Sequence, residues 1–70
     1  MSEMQRVESS WIASIGYEDD EEEVFIELIE GGAYAYMGVP SRVWRDFLAA
    51  ASKGTFVNEV LKPGYRFREL

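Results

Sequence analysis

The sequence predicts an α+β domain: a small antiparallel sheet, in the order β-β-β-α-α-β, with its helices packed on one face. Three observations predict it. Apolar residues recur with the two-residue period of a strand over residues 9–17, 24–29 and 33–39. The period lengthens to that of a helix over residues 41–51, and a second helical stretch follows over 55–61. Gly31-Gly32 separates the second and third strand segments, and paired glycines supply the positive φ of a tight hairpin, so those strands run antiparallel.

The first strand sets Trp11, Ala13, Ile15 and Tyr17 on one face against Ser10, Ile12, Ser14 and Gly16 on the other. Ile12 breaks the polar pattern of its face, which a bulge at Gly16 or a place near the sheet's middle would accommodate. Residues 18–22 then form a loop, because Glu18, Asp19, Asp20, Glu21, Glu22 and Glu23 are six adjacent acids that repel one another into water. A calcium loop would need a glycine at its sharp turn, and this run has none. A solvated hairpin connection fits better. The second strand places Val24, Ile26 and Leu28 on one face and Phe25, Glu27 and Ile29 on the other.

Register decides the rest of the sheet. A two-residue loop at Gly31-Gly32 pairs Glu30 with Ala33, Ile29 with Tyr34 and Glu27 with Tyr36. Tyr34 and Tyr36 then join Phe25, Glu27 and Ile29, while Ala33, Ala35 and Met37 join Val24, Ile26 and Leu28. A three-residue turn with a bulge would exchange the two faces, since side chains alternate with period two.

Val39-Pro40-Ser41 is a strand-to-helix junction, with either Pro40 in the first turn or Ser41 as the N-cap. The following helix carries the stripe Val43, Trp44, Phe47, Leu48 and Ala51. Lys53-Gly54 is expected to end it, with the cation at the C-terminal dipole and the glycine turning left-handed. Thr55 then caps a short helix whose apolar face is Phe56, Val57, Val60 and Leu61, and Lys62-Pro63-Gly64 stops it. Tyr65, Phe67 and Glu69 alternate with Arg66, Arg68 and Leu70 as a last strand.

Seventy residues make one domain, and a chain of this length buries only about 60% of the surface its unfolded form exposes. There is no cysteine and no histidine, which excludes disulfides and argues against zinc, and no cofactor is called for. Residues 1–8 show no periodicity and read as a flexible tail before a single domain over 9–70. They lack a signal peptide's apolar core, and no apolar run approaches the roughly 20 residues of a membrane span. The expected compartment is the cytoplasm, with no membrane partner. The net charge of -6 is the acid run alone, since the remaining acids and bases balance at seven each. From Lys53 onward bases outnumber acids, so one small body can carry two oppositely charged ends.

The residues offer little for catalysis. No His, no Cys, no Ser beside a general base and no phosphate-cradling glycine loop occurs, so an enzyme is not expected. Binding is better provided for. Tyr34 and Tyr36 could stack the bases of single-stranded RNA while Lys53, Lys62, Arg66 and Arg68 meet phosphates. The plainer role for both tyrosines is cross-strand packing. Ser10, Ser52 and Asn58, with Tyr17 and Lys62 at the edge, form a second candidate set for a small ligand or nucleotide, against the ordinary role of such residues in capping. A protein partner or homo-oligomer is the third class, since so aromatic a small domain can expose an apolar patch.

These residues also carry a resemblance. Ser9-Ser10, Ile15-Gly16-Tyr17, Leu28, Gly31, Tyr34-Ala35-Tyr36, Val39-Pro40, Ala50, Ser52, Gly54, Phe56, Asn58, Lys62 and Tyr65 follow in order across residues 7–70. The chain resembles the KTSC domain, a short module found at the C-terminus of some lysyl-tRNA synthetases and as a free-standing protein in bacteria and phages. The resemblance implies no established activity; its attachment to a tRNA synthetase suggests RNA as ligand. The chain departs from the family pattern in its six-acid loop and in Val57, where an aromatic is common. Both departures lower the attraction for a polyanion.

Overall fold

The computed structural model describes residues 3–70. Its strands are β1 (Gln5–Arg6), β2 (Ile12–Glu18), β3 (Glu23–Leu28), β4 (Ala33–Tyr36) and β5 (Phe67–Glu69), with helix α1 over Ser41–Ala49. A second helix, α2, runs as α over Lys53–Phe56, widens to π over Val57–Leu61 and closes as α over Lys62–Gly64. The five strands lie in sequence order, each antiparallel to its neighbour. The fold is thus the expected α+β arrangement, with one short strand added at the N-terminal edge. That strand falls in the segment read as a tail: Gln5 pairs with Ile15 and Arg6 with Ser14, while residues 1 and 2 lie outside the described residues.

The β3–β4 hairpin does not close through two residues. Leu28 N–H donates to Gly32 O (3.1 Å) and Gly31 N–H to Leu28 O (3.1 Å), enclosing the three-residue loop Ile29-Glu30-Gly31. Gly31 at φ 104° and Gly32 at φ 85° make that loop sterically accessible. The odd-residue change of register exchanges the faces. Tyr36 pairs with Val24, Ala35 with Phe25, Tyr34 with Ile26 and Ala33 with Glu27. Tyr34 and Tyr36 therefore stand with Val24 and Ile26, and the small alanines stand with Phe25 and Glu27, which corrects the two-residue reading.

A second irregularity settles Ile12. The β2–β3 register shifts between Ile12 and Ser14, so the bulge lies at Ala13 rather than at Gly16. The shift turns Ile12 to the same side as Ile15, and both are fully buried. Gly16 serves another purpose, since a Cβ there would overlap the Met4 sulfur.

Both helices cover one face. Phe47 of α1 and Val57 and Leu61 of α2 form a single buried cluster with Ile12, Ile15, Val24, Ile26, Tyr36 and Val39. Pro40 is the N-cap of α1, with extended backbone and a carbonyl that receives the N–H groups of Val43 and Trp44. The helix stops at Ala49, two residues short of expectation, and Lys53 is not its last turn. Lys53 belongs to α2 and reaches back, donating from Nζ to Ala50 O (2.6 Å) and Leu48 O (3.2 Å). The cation still serves the C-terminal carbonyls of α1, from a neighbouring element. Gly54 is helical and buried rather than left-handed, and a glycine fits there because the Trp11 indole occupies the space a Cβ would need. Ser52, not Thr55, caps α2: its Oγ accepts from Thr55 N–H (3.2 Å).

Among the described residues the opposite face carries no helix. There Ser14 donates to Glu27, Phe25 is half-buried, and Glu23 accepts three hydrogen bonds from the Arg68 guanidinium at 3.1–3.3 Å. The acid run is therefore not wholly a loop. Glu18 and Glu23 face each other as a strand pair, and only Asp19, Asp20, Glu21 and Glu22 turn. No described helix is long and apolar enough to cross a membrane.

Candidate functional site

Between the helix-covered face of the sheet and α2 lies a cleft of about 560 Å³. Trp11, Ile26, Leu28, Tyr34, Tyr36, Val57 and Phe67 line it, and Lys62 is the one charged residue among its walls. Each wall has a local cause. The three-residue hairpin loop turns Tyr34 and Tyr36 toward α2. Antiparallel pairing brings Phe67 opposite Tyr36, with ring centroids 5.7 Å apart, and sets it edge-on to Tyr34 at 5.5 Å. Gly54 admits the Trp11 indole against α2.

The π turn supplies the remaining wall. Val57 and Leu61, four apart, both face the core, and Lys62 N–H donates to Val57 O, five residues back, which brings Lys62 round to the side of Val57 at the cleft. Pro63 explains the widening: it has no N–H to give, and its ring would clash with the carbonyl of a regular preceding turn. The amine of Lys62 has no hydrogen-bond or ion-pair partner among the described residues.

Tyr36 is only 4% exposed and forms the floor of the cleft. Burial, reinforced by the neighbouring Tyr34, raises its phenol pKa, so it stays a neutral hydrogen-bonding group. Tyr34 is half-buried and Phe67 is 54% exposed, so the mouth opens beside β5. The acidic turn lies toward the Phe67 end of the cleft: Phe67 pairs with Tyr36, and Tyr36 with Val24, two residues beyond Glu22.

Of the ten residues singled out from sequence, three line the cleft: Tyr34, Tyr36 and Lys62. Seven do not, and Lys53 among them holds the last carbonyls of α1. Tyr17 lies under Trp44 and donates its hydroxyl to Val39 O (2.7 Å). Ser52 caps α2 and also bonds Thr55 Oγ1. Asn58 is exposed on the π turn, Arg68 is engaged by Glu23 on the other face, and Arg66 is exposed just ahead of β5. Ser10 makes no hydrogen bond to Ser52 or Asn58 among the described residues. Sequence reasoning missed Trp11, Val57 and Phe67. The alternation at the C-terminus could have placed Phe67 beside the tyrosines. Nothing local connects Trp11 with Gly54.

A five-stranded antiparallel sheet with two helices on one face and an aromatic cleft between them defines a small two-layer α+β domain. The model of the KTSC domain matches residues 8–65, and the chain belongs to that family. The fold is similar to the crystal structure of a KTSC domain protein from Yersinia pestis, with a TM-score of 0.93 and 40% identity over 100% of this chain and 99% of that one. A protein of Tsukamurella paurometabola is 44% identical over 63 residues, 90% of this chain and 94% of its own length. One of Stutzerimonas stutzeri is 37% identical over 67 residues, 91% and 94% of the two chains.

Proposed function

We propose that this KTSC domain is a non-catalytic binding domain whose ligand is a nucleotide, free or as an unpaired residue of single-stranded RNA, held in the cleft. The observation that carries the reading is the cleft's composition: Trp11, Tyr34, Tyr36 and Phe67 around a space open at one side, with the unpartnered amine of Lys62 in its wall. A planar base finds aromatic surface there, and stacking on such surface contributes about 1–3 kcal/mol per base. Lys62 answers one phosphate, and Arg66 stands one residue from Phe67. Arg68 is left out of this role because Glu23 already holds it.

The test is the affinity of mononucleotides and short single-stranded RNA at two salt concentrations, for the native chain, Lys62→Glu and Tyr34→Ala. The reading requires binding that weakens with salt, with a slope of about 0.7 per phosphate contact. It also requires both variants to weaken it. Equal affinity in all three proteins would contradict it. A protein partner or homo-oligomer is the second reading, favoured by the exposure of Phe67 and Leu70 at the sheet's edge.

A further inference from the structure

We propose that the outer edge of β5 is a strand-addition site for an extended peptide in which apolar and acidic residues alternate. The site adjoins the cleft through Phe67, and it stands on ladder geometry rather than on what the cleft holds. Among the described residues the sheet ends at β5, whose neighbour is β4 alone. Arg66 O receives Met37 N–H at 2.8 Å, and Leu70 N–H donates to Ala33 O at 2.9 Å. In an antiparallel ladder the residues that bond inward alternate with those that bond outward. Arg66, Arg68 and Leu70 thus turn their main chain toward β4. Phe67 and Glu69 turn both N–H groups and both carbonyls to the open side.

The strand lacks two of the usual protections of an edge: β5 contains no proline, and its ladder with β4 runs without a register shift. Its side chains specify the guest. On the helix-covered face Phe67 is 54% exposed, so the residue laid beside it is apolar. On the bare face stand Arg66, without an ion-pair partner among the described residues, and Arg68, half-exposed although Glu23 holds one side of it. The residues laid beside these are acidic. A strand with period two meets both demands when apolar and acidic side chains alternate. A second copy fits less well, because two identical edges pairing about Arg68 set two guanidinium groups directly opposite. Single-stranded RNA has no main-chain ladder to offer the free amides.

The test uses the full chain and two synthetic peptides, one alternating leucine with glutamate and a twin with lysine in place of glutamate. Hydrogen exchange and amide shifts are read by NMR. The proposal expects the acidic peptide to protect the amides of Phe67 and Glu69 and the lysine twin to bind at least about tenfold more weakly. Glu69→Pro removes one outward N–H and leaves the β4 ladder intact, so it weakens the acidic peptide by about three- to tenfold. Arg66→Glu, on an exposed side chain, inverts the preference between the peptides and carries the test if the proline variant does not fold. Equal binding of both peptides by the native chain, or no binding of either at millimolar concentration, overturns the proposal. So does full affinity in Glu69→Pro, or protection that rises with protein concentration alone, the mark of a second copy.

Discussion

Tyr17 lies flat against Trp44, with ring centroids 5.3 Å apart and planes 9° from parallel, and its hydroxyl donates to the Val39 carbonyl at 2.7 Å. One side chain thereby joins the end of β2, the face of α1 and the junction that leads into that helix. Val39 N–H in turn donates to Glu22 O (2.8 Å), which fastens the acidic turn to the same junction.

This placement predicts a pH dependence. Burial raises the Tyr17 pKa, the carboxylates of Glu22 and Asp19 raise it further, and Arg45 opposes them. The Tyr36 pKa is raised as well, first by burial. The unfolded chain releases these protons near the ordinary value of about 10, while the folded chain holds them to higher pH. The stabilisation is complete below about pH 10 and is lost as pH rises through the folded values. Urea denaturation from pH 8 to 11 measures it. Tyr17→Phe loses about 1 kcal/mol at neutral pH with the hydrogen bond and flattens part of the alkaline fall.

Gly54→Ala sets helix propensity against packing. Alanine is about 1 kcal/mol better than glycine inside a helix. Its Cβ would overlap Trp11 Nε1 and lie 3.2 Å from Cε2, on a ring that also walls the cleft. Overpacking of this kind costs about 1–3 kcal/mol, so the variant melts lower despite its better propensity. A thermal melt decides which effect wins.

Arg68→Ala leaves Glu23 nearly buried, at 11% side-chain exposure, without its guanidinium. Stranding a fully buried charge costs about 3–5 kcal/mol, but Arg68 is half-exposed and water reaches the pair, so about 1–2 kcal/mol is expected. Glu23→Gln in the same chain recovers part of the loss. Denaturant midpoints for both singles and the double form the cycle that measures the coupling.

Ser52→Ala lowers stability by about 1 kcal/mol, because it leaves the Thr55 N–H without its cap. Thr55→Ala, at the position first read as the cap, is milder, since it removes only the exposed hydroxyl contact with Ser52. Melts of the two variants give the order directly.

The fold was legible where periodicity is long and flanked by breakers. Val24, Ile26 and Leu28 against Phe25 and Glu27, and Val43, Trp44 and Phe47 of the helical stripe, stand as their patterns imply; Leu48 is exposed, Ala51 falls beyond the helix, and the last strand begins at Phe67 rather than Tyr65. What was not legible depends on single-residue displacements. The extra residue at Ala13 and the third loop residue at the hairpin each invert a face, and the composition of the Gly-Gly turn permits both loop lengths. The cleft was half legible for the same reason. Tyr34, Tyr36 and Lys62 carry their own signals. Trp11 and Phe67 reach them through pairings remote in sequence, and Glu23 finds Arg68 forty-five residues away.

The chain has two tryptophans, and the fold separates them: Trp11 lines the cleft, while Trp44 stacks on Tyr17. Their indole N–H resonances are therefore a probe and its internal control. On titration with a mononucleotide the Trp11 resonance moves, the Trp44 resonance stays, and Lys62→Glu suppresses the movement. Both resonances unmoved at saturating nucleotide, or Trp44 moving alone, would contradict a nucleotide in the cleft.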